Sequence, residues 1–139
     1  MLTLHIAEAD DGPIDAVLVD GERVAALGPA GELEAAHPQA RVRRWRGTLG
    51  PGRLHDGPLP DAPSARERVH AVLRLGATAV RPEQLTDPAL RTAASRVGLA
   101  VGDREPALTV GGRADLAVFG ADGECLATVL AGRLVHRRA

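Results

Sequence analysis

Residues 16–29 read AVLVDGERVAALGP, and this stretch has the pattern of a tight β-hairpin. Two runs rich in Val, Leu and Ala flank Asp20-Gly21, a dipeptide that favours two-residue turns because both residues tolerate positive φ. Gly28-Pro29 ends the second run, since neither residue continues a strand easily. The segment therefore predicts two antiparallel strands near the start of the chain.

Both ends of the chain show the same kind of pattern. Residues 2–6 alternate Leu and Ile with Thr and His, the period-2 signature of a strand. Residues 114–119 alternate in the same way. The run at 125–130 leads through Ala131-Gly132 into a final run at 133–136, which predicts a second hairpin. The termini are thus predicted to be β-structure.

The middle of the chain has a different character. Residues 47–63 contain four Pro and four Gly and are predicted to be loop. Ser64 with Glu67 forms a capping-box pattern that opens a helix ending at Gly76, and residues 77–80 follow as a short strand. A second helix is predicted over 88–96, with Asp87 as its cap.

These patterns predict a mainly β (α+β) fold in a single domain of 139 residues. Residues 1–56 and 107–139 are expected to form β-structure, and residues 57–106 a short αβα insertion between these two parts.

Composition excludes several functional classes. The net charge is −1 and all 17 basic residues are Arg, so no overall field favours nucleic acid or an anionic membrane surface. Cys125 is the only cysteine, which excludes an intrachain disulfide and suggests a reducing compartment. We see neither a signal peptide nor an apolar run long enough to span a bilayer. We therefore expect a cytoplasmic protein without nucleic-acid or membrane partners.

Three segments, taken together, resemble the amidohydrolase superfamily of metal-dependent hydrolases. Residues 17–29 resemble its N-terminal hairpin, residues 47–56 the loop that leads into its catalytic barrel, and residues 110–119 with 131–135 its C-terminal return to the sheet. Imidazolonepropionase-like and cytosine-deaminase-like members look most similar. The resemblance implies a composite β-sandwich of both chain ends beside a (β/α)₈ barrel that carries the chemistry.

The chain departs from that family where its chemistry lies. A complete barrel needs about 200 residues, whereas residues 57–110 supply 54, enough for one or two βα units. The family's His-x-His metal pair falls on Gly57 and Leu59, or, one residue later, on Pro58 and Pro60. The bridging lysine of many members has no counterpart because the chain has no Lys. We expect no catalytic residue, no metal and no cofactor.

A few side chains remain as candidates for ligand binding. His55-Asp56 lies in the Gly/Pro-rich segment, with Arg53 nearby and His70 on the predicted helix. The competing interpretation is a hydrogen bond within the loop or full solvation of these side chains.

Other polar residues are expected to have structural or surface roles. Asp115 is predicted to have a structural role at a strand end, and Cys125 to be a small core residue. His5, His37 and His136 are interpreted as surface residues.

Arg41, Arg43, Arg44 and Arg46 form the densest charge cluster. A phosphate-binding patch is one interpretation. A solvated face of an edge strand, which resists edge-to-edge pairing, is the interpretation we favour.

Three functions follow from these patterns. The first is a non-catalytic, amidohydrolase-like binding or scaffolding protein, whose surface left by the missing barrel is covered by a second copy or a partner protein. The alternative is a hydrolase of carbon–nitrogen bonds in cyclic amides or amidines that needs a partner chain or an unrecognised site. The third is a module that binds a small heterocycle near residues 47–63.

Overall fold

The structure is a computed structural model that describes residues 1–8 and 15–138, and its strands form three open sheets. In chain order the elements are β1 (Leu2–Ala7), β2 (Ala16–Asp20), β3 (Arg23–Gly28), α1 (Ala30–Ala36), β4 (Arg41–Trp45), β5 (Thr48–Pro51), β6 (Arg53–His55), α2 (Ala65–Arg74), β7 (Ala77–Val80), a 3-10 helix (Pro82–Gln84), α3 (Pro88–Val97), β8 (Ala100–Val101), β9 (Leu116–Phe119), β10 (Cys125–Leu130) and β11 (Arg133–Arg137). No sheet closes into a barrel within the described residues. The predicted β-rich α+β fold is confirmed.

Two of the sheets form the sandwich. The N-terminal sheet has the order β3-β2-β1-β4, and the C-terminal sheet has the order β11-β10-β9-β5. Strand β5, at residues 48–51, pairs with β9, at residues 116–119, so the C-terminal sheet combines segments that are far apart in sequence. This is the composite arrangement that the sequence predicts.

The third sheet contains the insertion. Its order is β6-β7-β8, all parallel, and α2 and α3 make the two crossovers. The insertion is therefore two consecutive βα units, the upper limit that its length allows. None of the helices in the described residues combines the length and apolar character needed to cross a membrane.

The predicted loop over residues 47–63 is wrong in its first half, which contains β5 and β6. Both strands lie at the edge of their sheets. An edge strand tolerates Gly and Pro because one side of its backbone needs no strand partner. Pro51 sits at the last position of β5, where it interrupts no further pairing.

The helices of the insertion begin as their caps predict. The Ser64 Oγ accepts a hydrogen bond from the Glu67 N–H at 3.1 Å, and the Asp87 carboxylate accepts one from the Ala89 N–H at 2.9 Å. Only half of the capping box is formed. The Glu67 carboxylate accepts a hydrogen bond from the Ser64 hydroxyl at 3.3 Å instead of from the Ser64 backbone N–H. Gly76 follows α2 with φ +90°.

The sandwich core lies between the N-terminal and C-terminal sheets and is mostly aliphatic. Its buried residues are Ala7, Val17, Val19, Val24, Trp45, Leu49, Ala114, Leu116, Val118, Ala127 and Val129. The two predicted hairpin turns meet at one end of this core. A Cβ on Gly132 would overlap the Gly21 carbonyl oxygen, so glycine is required for the close approach of the turns.

Helix α1, which the sequence analysis missed, covers the outer face of the N-terminal sheet. Leu4, Ile6 and Leu18 are buried there against Ala30 and Leu33. Seven residues show too little periodicity to reveal a helix. Because α1 covers one face and the C-terminal sheet the other, β1 is buried on both sides.

His5 is the residue most affected by this double burial. It was predicted to lie at the surface, but it is 2 % exposed, and its Nδ1 accepts a hydrogen bond from Trp45 Nε1–H at 3.2 Å. Burial first, and then the charge of Arg43, lower the pKa of His5 to about 4. The imidazole is therefore neutral at physiological pH.

The outer face of the C-terminal sheet is covered by the insertion. Along β10, Val129 points into the sandwich core, while Leu130 packs with Val69 and Val72 of α2. The Thr128 hydroxyl, fully buried, donates a hydrogen bond to the Leu73 carbonyl at the end of α2, with an O–O distance of 2.6 Å.

Asp115 connects three parts of the fold through hydrogen bonds. Its Oδ1 accepts hydrogen bonds from Arg113 Nε at 2.9 Å and from the Ala131 N–H at 2.8 Å. The Arg113 guanidinium also donates to the carbonyl of Gly98 at the end of α3. The carboxylate thus joins the start of β9 to the last hairpin and to the insertion, in line with its predicted structural role.

The buried His5 predicts an acid-dependent loss of stability. Its pKa is about 4 in the folded state against 6.5 unfolded, so the unfolded chain binds the proton first as the pH falls. The contribution of His5 to the free energy of unfolding is fully retained above pH 6.5. The free energy of unfolding then decreases by up to about 3 kcal/mol as the pH falls towards 4. Urea unfolding across this range should show that loss in the wild type. The slope should shrink in His5→Gln and persist in His70→Gln; equal slopes in all three proteins would contradict the assignment.

The bond between Thr128 and Leu73 predicts how strongly the insertion is docked. Thr128→Val keeps the shape but removes the Thr128 hydroxyl from the Leu73 carbonyl, which still accepts the Gly76 N–H at 3.0 Å. The loss of this one buried hydrogen bond should lower the free energy of unfolding by about 1 kcal/mol. Thr92→Val, on the exposed side of α3, is the matched control and should be nearly neutral. Chemical denaturation measures both; equal effects would show that the buried bond contributes nothing.

Candidate functional site

Three of the four candidate residues line one cleft. Arg53, His55 and Asp56, on and after β6, face a cavity of about 420 Å³. Its opposite wall comes from the β9–β10 hairpin, including Phe119 and Glu124. We call this cavity the β6 cleft. Two carboxylates, an imidazole, two guanidiniums (Arg53 and Arg74) and an aromatic ring thus line one cavity.

Arg53 and Phe119 form the floor of the β6 cleft. The Arg53 Cζ lies 3.8 Å from the centroid of the Phe119 ring, within cation–π distance. Gly76 makes room for this ring, since a Cβ at that position would lie 2.5 Å from the Phe119 Cζ. The turn after α2 therefore determines where the aromatic ring sits.

His55 has a local partner. Its Nε2 lies 3.0 Å from the Pro58 carbonyl, to which it donates when Nε2 carries the proton. This bond fits the structural interpretation of His55. The ring is half-buried, and its other nitrogen is available to a ligand in the cleft.

Asp56 belongs to an ion-paired group that the sequence analysis missed. Arg81 Nε lies 3.9 Å from Asp56 Oδ1, and Arg81 Nη1 lies 3.4 Å from Asp103 Oδ1. Asp56, Arg81 and Asp103 follow β6, β7 and β8, so they meet at the carboxyl edge of the insertion sheet. A charged residue within two positions of the end of each strand of the insertion sheet was the signal available in the sequence.

His70 does not join the other candidates. It is exposed on α2 and lines a different groove, of about 530 Å³, with Val97 and Ala93 of α3. A joint site for His55 and His70 is therefore not formed.

Within the described residues, no group of three His, Cys, Asp or Glu side chains is arranged to hold a metal ion. At the carboxyl edge of the insertion sheet, the two nearby carboxylates instead face the Arg81 guanidinium. A fixed positive charge between Asp56 and Asp103 opposes the approach of a divalent cation.

Cys125 and His136 are neighbours but do not form a nucleophile–base pair. Cys125 is buried, and its Sγ lies 3.4 Å from the Ala127 carbonyl and 3.3 Å from the Thr128 hydroxyl. The His136 Nε2 contacts the backbone oxygen of Cys125 at 3.4 Å, and burial lowers the pKa of this half-buried imidazole. The burial of Cys125 confirms its predicted core position.

Comparison with protein families supports the resemblance seen in the sequence. A family model described as the imidazolonepropionase-like composite domain of bacteria matches residues 16–40, which include the first hairpin and α1. No curated protein matches the chain. The matched residues contain residues 17–29, one of the three segments that carry the resemblance in the sequence.

Solved structures of larger proteins give partial matches to this chain. A guanine deaminase from Bradyrhizobium japonicum is 17 % identical with a TM-score of 0.46, covering 72 % of this chain and 33 % of its own. An E. coli guanine deaminase is 19 % identical with a TM-score of 0.49, covering 73 % of this chain and 35 % of its own. An enamidase is 18 % identical with a TM-score of 0.40, covering 78 % of this chain and 38 % of its own. The chain thus spans about a third of the length of these structures.

The contact between Gly76 and Phe119 can be tested with a matched pair of variants. Gly76 and Gly98 have similar left-handed backbones, with φ +90° and +82°, but a Cβ at Gly98 meets nothing within 4 Å. Gly98→Ala should cost about 1–2 kcal/mol from backbone strain alone. Gly76→Ala should cost about 1–3 kcal/mol more, because the new methyl group displaces the Phe119 ring. Thermal or urea unfolding gives both values; equal losses would show that the ring adjusts freely.

Proposed function

We propose that this chain is a non-catalytic, amidohydrolase-like composite domain that binds a small planar heterocycle in the β6 cleft. The observation that carries the non-catalytic part of the proposal is the position of Arg81. In parallel sheets, ligands and catalytic groups collect at the carboxyl ends of the strands. Here that edge holds a guanidinium paired with Asp56 and Asp103, which favours ion pairing over metal-dependent hydrolysis.

The packing of the insertion supports a role that needs no barrel. Two βα units bury their apolar residues against one another and against Leu130 of the C-terminal sheet. The hydrogen bond from Thr128 to Leu73 joins the same two layers. The outer face of the C-terminal sheet is thus covered from within the chain, which supports a cytoplasmic domain that acts as a binding module by itself.

The lining of the β6 cleft suits a planar nitrogen heterocycle. The carboxylates of Asp56 and Glu124 accept hydrogen bonds from ring or amino N–H groups. The Arg53 guanidinium, held over Phe119, offers a flat cationic surface for stacking. The half-buried His55 adds a group that can donate or accept.

A partner protein or second copy is a lesser part of this proposal. The side of the C-terminal sheet that such a partner was expected to cover packs against α2. The large exposed apolar side chains are far apart in sequence: Met1, Val42, Leu75, Val101 and Val110. Any self-association would therefore rely on a smaller surface than the sequence suggested.

The second candidate is a hydrolase of carbon–nitrogen bonds in cyclic amides or amidines that is completed by a partner chain. The match of residues 16–40 to the imidazolonepropionase-like composite domain favours it. It differs from the first candidate in requiring a resident metal ion at or near His55.

Ligand screening tests the proposal. Purines, pyrimidines and imidazolones are added to the purified protein, and its melting temperature is measured. At least one class should raise the melting temperature, by the mass action expected when a ligand binds only the folded state. The shift should be lost in Arg53→Ala and retained in His70→Ala, which lies outside the cleft. No shift with any of the three classes would refute heterocycle binding.

Metal analysis distinguishes the two candidates. Elemental analysis of the wild type and of His55→Ala should give no stoichiometric zinc, iron or manganese in either. A stoichiometric metal that disappears in His55→Ala would instead establish the hydrolase and contradict the non-catalytic role.

A further inference from the structure

The two edge strands of the sandwich bring three arginines together. On β4, Arg41 and Arg43 alternate with Val42 and so share the face of Trp45, whose ring is buried in the sandwich core. On β11, Arg137 lies opposite Ala127, a residue of the same core. All three guanidiniums therefore stand on the inner side of the two sheets.

One contact and one electrostatic effect relate these three residues across the two sheets. The Arg137 Cζ lies 5.6 Å from the centroid of the Trp45 ring, which bridges the two sheets. Burial, followed by the positive charges of Arg41 and Arg137, lowers the pKa of Arg43. We call the group of Arg41, Arg43 and Arg137 the arginine notch.

The next arginines along the same strands are neutralised by carboxylates. Arg44, on the opposite face of β4, makes a two-oxygen contact with Glu34 of α1 at 3.0 and 3.1 Å. Arg138, after β11, pairs with Asp122 at 3.4 Å. Within residues 1–8 and 15–138, no carboxylate makes such a pair with the arginine notch.

We propose that the arginine notch is a binding site for the phosphate or pyrophosphate group of a small molecule. Three guanidiniums offer up to fifteen N–H donors in planar forks, the geometry that matches phosphate oxygens. An oxyanion between them would relieve the mutual repulsion of three like charges. Trp45 and the neutral His5 are buried behind the site, so one side of it borders the low-dielectric protein interior, which strengthens the attraction.

The arrangement favours a compact anion over a nucleic acid. The three charges converge from two strands around Arg43, whereas a polynucleotide needs a groove that follows its backbone with bases stacked on exposed aromatic rings. Trp45 is only 7 % exposed and cannot serve as such a platform. A net charge of −1 also provides no long-range attraction for a polyanion.

The notch shares no residue with the β6 cleft, so this site and the function proposed for the cleft can fail independently. Isothermal titration of the full chain with sodium pyrophosphate at low ionic strength should give saturable binding at one site. Arg43→Gln and Arg41→Gln should each weaken it by about tenfold, the effect of losing one charge-assisted hydrogen bond. Arg41 is exposed, so its variant tests the site even if Arg43→Gln fails to fold.

Matched controls come from the paired arginines. Arg44→Gln and Arg138→Gln remove the same charge from the same region and should change the affinity by less than about twofold. Absence of saturable binding, or an equal loss in all four variants, would overturn the site. Tighter binding of a short oligothymidylate than of pyrophosphate, lost in Arg43→Gln, would overturn the assignment to a small molecule.

Discussion

The fold depends on burying both faces of the C-terminal sheet. In β10, Ala127 and Val129 point towards the N-terminal sheet, while Thr128 and Leu130 point towards α2. A sheet with two apolar faces is stable only between two layers, as in α/β proteins. The N-terminal sheet supplies one layer, and the two βα units of the insertion supply the other. The position of the β6 cleft, between β6 and the β9–β10 hairpin, follows from this three-layer arrangement.

Burial on both faces also explains what the sequence could and could not predict. The strands, the hairpin turns and both insertion helices follow from local signals such as Asp20-Gly21, Ser64 and Asp87. His5 was assigned to the surface because an alternating Leu-x-Leu-x-Ile pattern suggests one solvated face. Whether both faces of β1 are buried depends on the presence of a second covering layer. Helix α1 provides that layer, but it is too short to be recognised from the sequence. Likewise, β5 and β6 are edge strands whose glycines and prolines read as loop.

The candidate site was predicted in part for a similar reason. Arg53, His55 and Asp56 are close in sequence, so their common cleft follows from position alone. His70 was grouped with them on residue type, and the helix places it in another groove. Arg81 and Asp103 approach Asp56 only because three parallel strands end at one edge. Their grouping depends on strand order, which no local pattern specifies. The arginine notch likewise needs the pairing of β11 with β10 to bring Arg137 beside Arg43.

Helix α2 and the C-terminal sheet should unfold as one cooperative unit without a barrel. Native-state hydrogen exchange measures this most directly, since it gives an opening free energy for each amide. If the two elements are one unit, amides in residues 69–74 of α2 will open with the same free energy as those of residues 127–130 in β10. Rapid exchange throughout α2 beside a fully protected β10 would show that the sheet is stable without its cover, and would contradict the account.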